Sequence, residues 1–196
     1  MRTALSGIAA VAAIGAAPLA AGCGTSAPAA QLGASTPAAS ASATQAYCRA
    51  AQLRVGLGPL VSEATQQNTV ILDFRNTSSV TCDLRGYPGI TLSERSGAVL
   101  PFRYHDGGDQ MLTSQSPTLV RLAPGAVAYA AVNKNACVMY ASRSAVGGEV
   151  TPPGSSQPLA FELPHYRMLD YCRAGDPGHV VDVSPVEPTI KDVMAG

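Results

Sequence analysis

Three histidines, His105, His165 and His179, are the side chains of this 196-residue chain best suited to proton transfer or metal binding. All three fall in stretches that read as exposed loops. Serines are plentiful, so a Ser-His-Asp set can be drawn on paper, but no spacing singles one out. A phosphate loop, a dinucleotide fingerprint and a nucleophile elbow are all absent. No catalytic residue is assigned and no cofactor is implied. His105, Met111, His165 and Met168 form a more specific set, because imidazole and thioether ligands suit copper. Their spacing matches no copper-carrier motif, and both methionines serve equally well as apolar filler, so no metal ligand is assigned. The run His105-Asp106-Gly107-Gly108-Asp109 brings two carboxylates together but lacks the further oxygens that calcium requires. Tyr166, Arg167 and Tyr171, close to Cys172, are either a recognition surface or a cap on the core.

The five cysteines carry the clearest signal. Residues 4–21 are an apolar, alanine-rich run after Arg2, ending in Leu19-Ala20-Ala21-Gly22-Cys23. A short apolar run with small residues at its end is a signal peptide rather than a membrane span. A cysteine directly after Ala-Gly resembles a bacterial lipobox, which implies cleavage after residue 22 and lipid attachment to Cys23. Ala20 stands where that motif usually has Leu, with Leu19 one place further out. Ordinary cleavage, leaving Cys23 as a stray thiol, is the alternative. With Cys23 set aside, Cys48, Cys82, Cys137 and Cys172 remain, an even number suited to two disulfides in an oxidising compartment. Three pairings are open. A first strand after Cys48 and an antiparallel second strand ending near Cys82 would bring those two together, which favours Cys48–Cys82 with Cys137–Cys172. The absence of any C-x-x-C pair argues against zinc.

The elements that must position these residues read as strands. Charged residues are 13% of the chain, balanced at 13 basic and 13 acidic, while glycine and proline number 19 and 15. That balance gives no electrostatic argument for nucleic acid. Residues 24–46 are mostly Ala, Ser, Thr, Pro and Gly, without charge or periodicity, a tether with a typical reach of about 25 Å. Alternation predicts a strand at Leu53, Val55 and Leu57, and another at Val70, Leu72 and Phe74, with Ile71 implying some cover on the outer face. Residues 76–79 read as a turn leading to Cys82, and Ile90 and Leu92 as the partner run of the same pair. An edge strand is expected at 98–102, a loop at 104–116, and a hairpin of 118–122 with 126–132 around Pro124-Gly125. The small apolar residues of 126–132 predict a central strand covered on both faces. A weaker strand follows at 145–151, then one from the alternation of Leu159, Phe161 and Leu163, a last strand at 180–183 and a fraying tail over 189–196.

The string Thr81-Cys82-Asp83-Leu84-Arg85-Gly86-Tyr87-Pro88-Gly89, preceded by Asn76-Thr77, resembles the signature of the domain of unknown function 4232 family of secreted actinobacterial domains. Leu122-Ala123-Pro124-Gly125, and Cys137 followed by Val150-Thr151-Pro152-Pro153-Gly154, resemble its later landmarks. The resemblance covers about 47–187. It implies a β-sandwich lipoprotein domain with no established activity and no catalytic residues to carry over. The expected organisation is thus a signal peptide over 1–22, a lipidated Cys23 with its tether over 23–46, and an all-β domain over 47–188. That domain is expected to be an immunoglobulin-like sandwich of about eight strands. The expected role is a non-catalytic binding module at the outer face of the membrane, with an envelope protein, glycan or small ligand as partner. A copper or other metal carrier, or a hydrolase acting on an envelope substrate, are the alternatives.

Overall fold

The computed structural model describes residues 46–108, 110–138, 143–165 and 169–195. Cys23, the signal peptide, the tether up to residue 45, Asp109, Tyr166, Arg167 and Met168 lie outside the described residues. Twelve strands run through the described residues. The first six are β1 (Leu53–Leu57), β2 (Gln67–Asn76), β3 (Cys82–Leu84), β4 (Gly89–Ser93), β5 (Arg103–Asp106) and β6 (Val120–Leu122). The others are β7 (Val127–Asn135), β8 (Arg143–Ala145), β9 (Gly147–Thr151), β10 (Leu159–Glu162), β11 (Leu169–Tyr171) and β12 (Val180–Val183). A short helix, α1 (Ile190–Val193), follows. Among the described residues no helix is long and apolar enough to cross a membrane.

The fold is an all-β sandwich. A five-stranded sheet, in the order β1-β2-β7-β12-β5, shares one core with a three-stranded sheet, β10-β9-β4, and two ribbons, β11-β8 and β3-β6. Period-two alternation explains how the large sheet feeds that core. Val70, Leu72 and Phe74 of β2, Ala128, Ala130 and Val132 of β7, and Val181 and Val183 of β12 all point the same way. Ile90, Leu92, Val150 and Phe161 face them from the smaller sheet. The opposite face of the large sheet is covered too, as Ile71 implied: Ile71 and Ala131 form a second cluster with Met111, Leu112 and Val193. Beside it, buried amides satisfy one another. Asn133 donates to Gln67 Oε1, and Gln67 donates to Asn135 Oδ1, each at 2.7 Å.

Several sequence expectations are corrected. The runs at 70–75 and 90–92 do not pair: β2 lies between β1 and β7, while β4 pairs with β9 in the other sheet. The Pro124-Gly125 turn is real, with Ala126 N–H donating to the Ala123 carbonyl at 3.0 Å, but its flanking strands form no hairpin. β6 pairs with β3 and β7 with β2, so this turn carries the chain from one sheet to another. Residues 98–102 hold only an isolated bridge, Val99 to Ser93; past Pro101 the chain crosses to the large sheet and forms β5 inside the expected loop. All four β5 residues are exposed and none is aliphatic, so no alternation announces the strand. Its backbone pairs in parallel with β12, which fixes it at the sheet edge. The expected fraying tail instead forms α1, capped by the Thr189 hydroxyl, with Val193 fully buried.

Both favoured disulfides are present, Cys48–Cys82 and Cys137–Cys172. The first forms as expected from the β1–β2 antiparallel pair, whose register sets Leu53 opposite Asn76 near the two cysteines. Closing sequence separations of 34 and 35, each bridge stabilises the fold by roughly 4 kcal/mol on a chain-entropy account.

Candidate functional site

An open groove of ≈ 660 Å³ lies where β4 and β10 end and β9 begins. Its floor is backbone. A methyl added at Gly148 would sit 2.0 Å from the Thr91 carbonyl oxygen, and one at Gly147 2.6 Å from that of Phe161, so only glycine lets these strands pair here. Val146 N–H donates to the Ser93 carbonyl at 3.0 Å, and Leu163 N–H to that of Val146 at 2.8 Å, tying the three strand ends together. Polar side chains ring this floor: the charged Glu94 and Arg95 from the turn after β4, Glu162 from β10, and the His165 imidazole beyond Pro164. Glu94 accepts a hydrogen bond from the Ser96 hydroxyl at 2.9 Å, which orients its carboxylate. The groove is polar, open and carries both signs of charge on a hydrogen-bonded base. Such a site can hold a polar partner by hydrogen bonds and ion pairs.

The other histidines stand apart from it. His105, on β5, holds Asp182 of the neighbouring β12 through an Nδ1–Oδ1 contact of 2.8 Å. This is two-thirds of a nucleophilic triad, but no serine or threonine hydroxyl among the described residues bonds to His105. His179 is not the exposed loop residue expected from sequence. It is 8% exposed at the end of a 3₁₀ turn, its ring packs edge-on against Tyr171, and its Nδ1 has no hydrogen-bond partner.

Of the copper set, Met168 lies outside the described residues, and His105 and Met111 do not line the groove beside His165. Met111 is enclosed in the second apolar cluster, where its sulfur accepts the Ala64 N–H at 3.4 Å. Among the described residues no group of three or more His, Cys, Asp or Glu side chains is placed to hold a metal ion. Asp106, one of the two carboxylates weighed for calcium, is a β5 residue in parallel register with Val183 rather than part of a turn. Tyr171 caps the core: it is buried, packs edge-on against Phe102, and lies under the Arg143 guanidinium at 5.2 Å.

The residues of the sequence signature are structural. Asn76 is fully buried and donates to the carbonyls of Val80 and Leu122, at 2.8 and 2.9 Å, while its own side-chain oxygen accepts from Ser78. Cys82 is bridged to Cys48, and Gly86 takes φ +120°, where L side chains are strained. Val186 N–H donates to the Gly86 carbonyl at 2.9 Å. Residues 48–187 match the family described as Domain of unknown function (DUF4232). The chain belongs to the DUF4232 family. A search of the curated proteins finds no match, and neither does a search of the solved structures. The DUF4232 signature therefore marks the clasp between the sheets, and the groove at Arg95 and His165 lies outside it.

Sequence reading noted His165 but missed Arg95 and Glu162 as its neighbours. They meet only through the β4–β9–β10 pairing, which no local pattern encodes. Lys134 was missed as well. Its signal was the polar run Asn133-Lys134-Asn135 at the end of a small apolar strand.

Proposed function

We propose that this DUF4232 protein is a lipid-anchored, non-catalytic binding module on the extracytoplasmic face of the membrane. The groove bounded by Glu94, Arg95, Glu162 and His165 is its binding site, and the partner is an envelope protein or glycan with a polar, hydrogen-bonding surface. The observation that carries this reading is the groove itself, with charges of both signs around a backbone floor on a three-stranded sheet. Two disulfides support an oxidising compartment. The lipobox-like Leu19–Cys23 stretch supports the anchor, and the uncharged segment after it supports a tether. The affinity expected of so open and polar a site is modest, so capture in the cell suits it better than recovery from an extract.

A photo-crosslinking residue placed at Arg95 of the full-length protein tests the site in living cells. Val80, exposed and not among the residues lining the groove, serves as the control position. One recurrent partner from position 95 and none from position 80 is the expected result. Adducts that are absent, or identical from both positions, would overturn the assignment.

A further inference from the structure

The two disulfides differ in what surrounds them. Cys48 and Cys82 are both buried, and both belong to the main apolar core. Cys172 is equally buried, but Cys137 is only half-buried. Beside Cys172 lies Lys134, whose side chain is completely enclosed at the end of β7. Its Nζ is 3.7 Å from Cys172 Sγ and donates to the Asn135 carbonyl at 2.5 Å. On the far side the backbone closes in. A methyl added at Gly178 would sit 2.4 Å from Cys172 Sγ. Cys172 is thus shut off from solvent, and Cys137 is the sulfur a reagent can reach.

A buried ammonium next to a neutral disulfide loses hydration and gains little in return. Burial pushes Lys134 down, and the Asp170 and Asp176 carboxylates pull it back up. Beside a thiolate, the same ammonium would form an ion pair. His179 and Arg143 also lie near this end of the domain, both packed on the ring of Tyr171, the residue before Cys172.

We propose that Cys137–Cys172 is an exchange-competent disulfide whose opening is assisted by Lys134, with an extracytoplasmic dithiol as its reaction partner. A thiolate of that partner attacks Cys137 Sγ. A bond forms between the two sulfurs as the Cys137–Cys172 bond breaks, and the bonding pair leaves on Cys172 Sγ as a thiolate facing the Lys134 ammonium. The partner's second thiolate then attacks its own sulfur in the mixed disulfide and releases Cys137 as a thiolate, which takes a proton from water. The partner is oxidised to its disulfide by two electrons, and Cys137 and Cys172 are reduced. This reaction is independent of the groove at Arg95.

The test uses the full-length protein under native conditions, with dithiothreitol as the probe dithiol. Timed alkylation, read by mass spectrometry, follows each cysteine separately. Cys137 and Cys172 are expected to become reactive at least about tenfold sooner than Cys48 and Cys82, with K134M slowing only the first pair, also by about tenfold. Equal opening of the two bridges in the wild type overturns the proposal, as does unslowed opening of Cys137–Cys172 in folded K134M. Should K134M open both bridges faster through unfolding, the C137S variant decides, because it leaves Cys172 free beside an intact Lys134. The thiolate absorbance of Cys172 in that variant, read as the difference from the C137S/C172S double variant, is expected to have its pH midpoint below the ordinary thiol value of about 8.5. A midpoint at or above that value overturns the proposal.

Discussion

At the scale of single residues, side chains that bond to backbone hold the two sheets in place. Asn76 uses both ends of its amide on the turn before Cys82 and on the end of β6. Tyr104 does the same at the opposite edge. It belongs to β5 in the large sheet, yet its hydroxyl oxygen accepts the Leu92 N–H of β4, in the small sheet, at 2.9 Å. Loss of solvent around that phenol outweighs the hydrogen bond from Leu92, and its pKa is pushed up to about 12. The unfolded phenol titrates near 10. The sign follows: stability tied to neutral Tyr104 is complete below about pH 10 and is lost as pH rises through about 12, because the unfolded chain releases its proton first. Phenolate absorbance checks this. The difference between wild type and Y104F should isolate one tyrosine ionising near pH 12, and a difference centred near 10 would contradict the bond across the sheets.

Among the elements, the aliphatic strands were legible and the polar ones were not. β1, β2 and β10 stand where period-two alternation predicts them, because one face of each must reach the core, and β12 stands at the expected last strand. The run of small apolar residues in β7 correctly marked a central strand, with Ala128, Ala130 and Ala131 all fully buried. β5 carries no such pattern, since its position depends on backbone pairing at an edge rather than on side-chain burial. α1 was missed for a related reason. Four residues are too few for helical periodicity to register, and only docking onto Ile71 and Ala131 stabilises it. V193A should therefore lower stability by roughly 1–3 kcal/mol, the value of burying a valine side chain, as measured by urea unfolding. An unchanged midpoint would mean that α1 adds nothing to the fold. The groove follows the same logic: His165 was visible as a residue, but its neighbours belong to three different strands.

For the whole molecule, the decisive prediction concerns the anchor. Wild-type protein should incorporate labelled fatty acid and sediment with membranes. C23A should lose the label and move to the soluble or culture fraction, since burial of acyl methylenes contributes about 0.8 kcal/mol each. Equal partitioning of the two proteins would sink the anchor. Disulfide content and the all-β class are properties of composition and local pattern: an even set of four cysteines besides Cys23, and short alternating runs between Gly and Pro. Those the sequence alone determined, because cysteine number and strand periodicity can be read without knowing which residues share a core. Which strands pair, that the Pro124-Gly125 turn joins two sheets, that Lys134 ends beside Cys172, and that Arg95 and His165 line one groove were decided only by the tertiary structure. Each depends on residues far apart in the chain sharing one core, and strand alternation states which face is buried without stating against what.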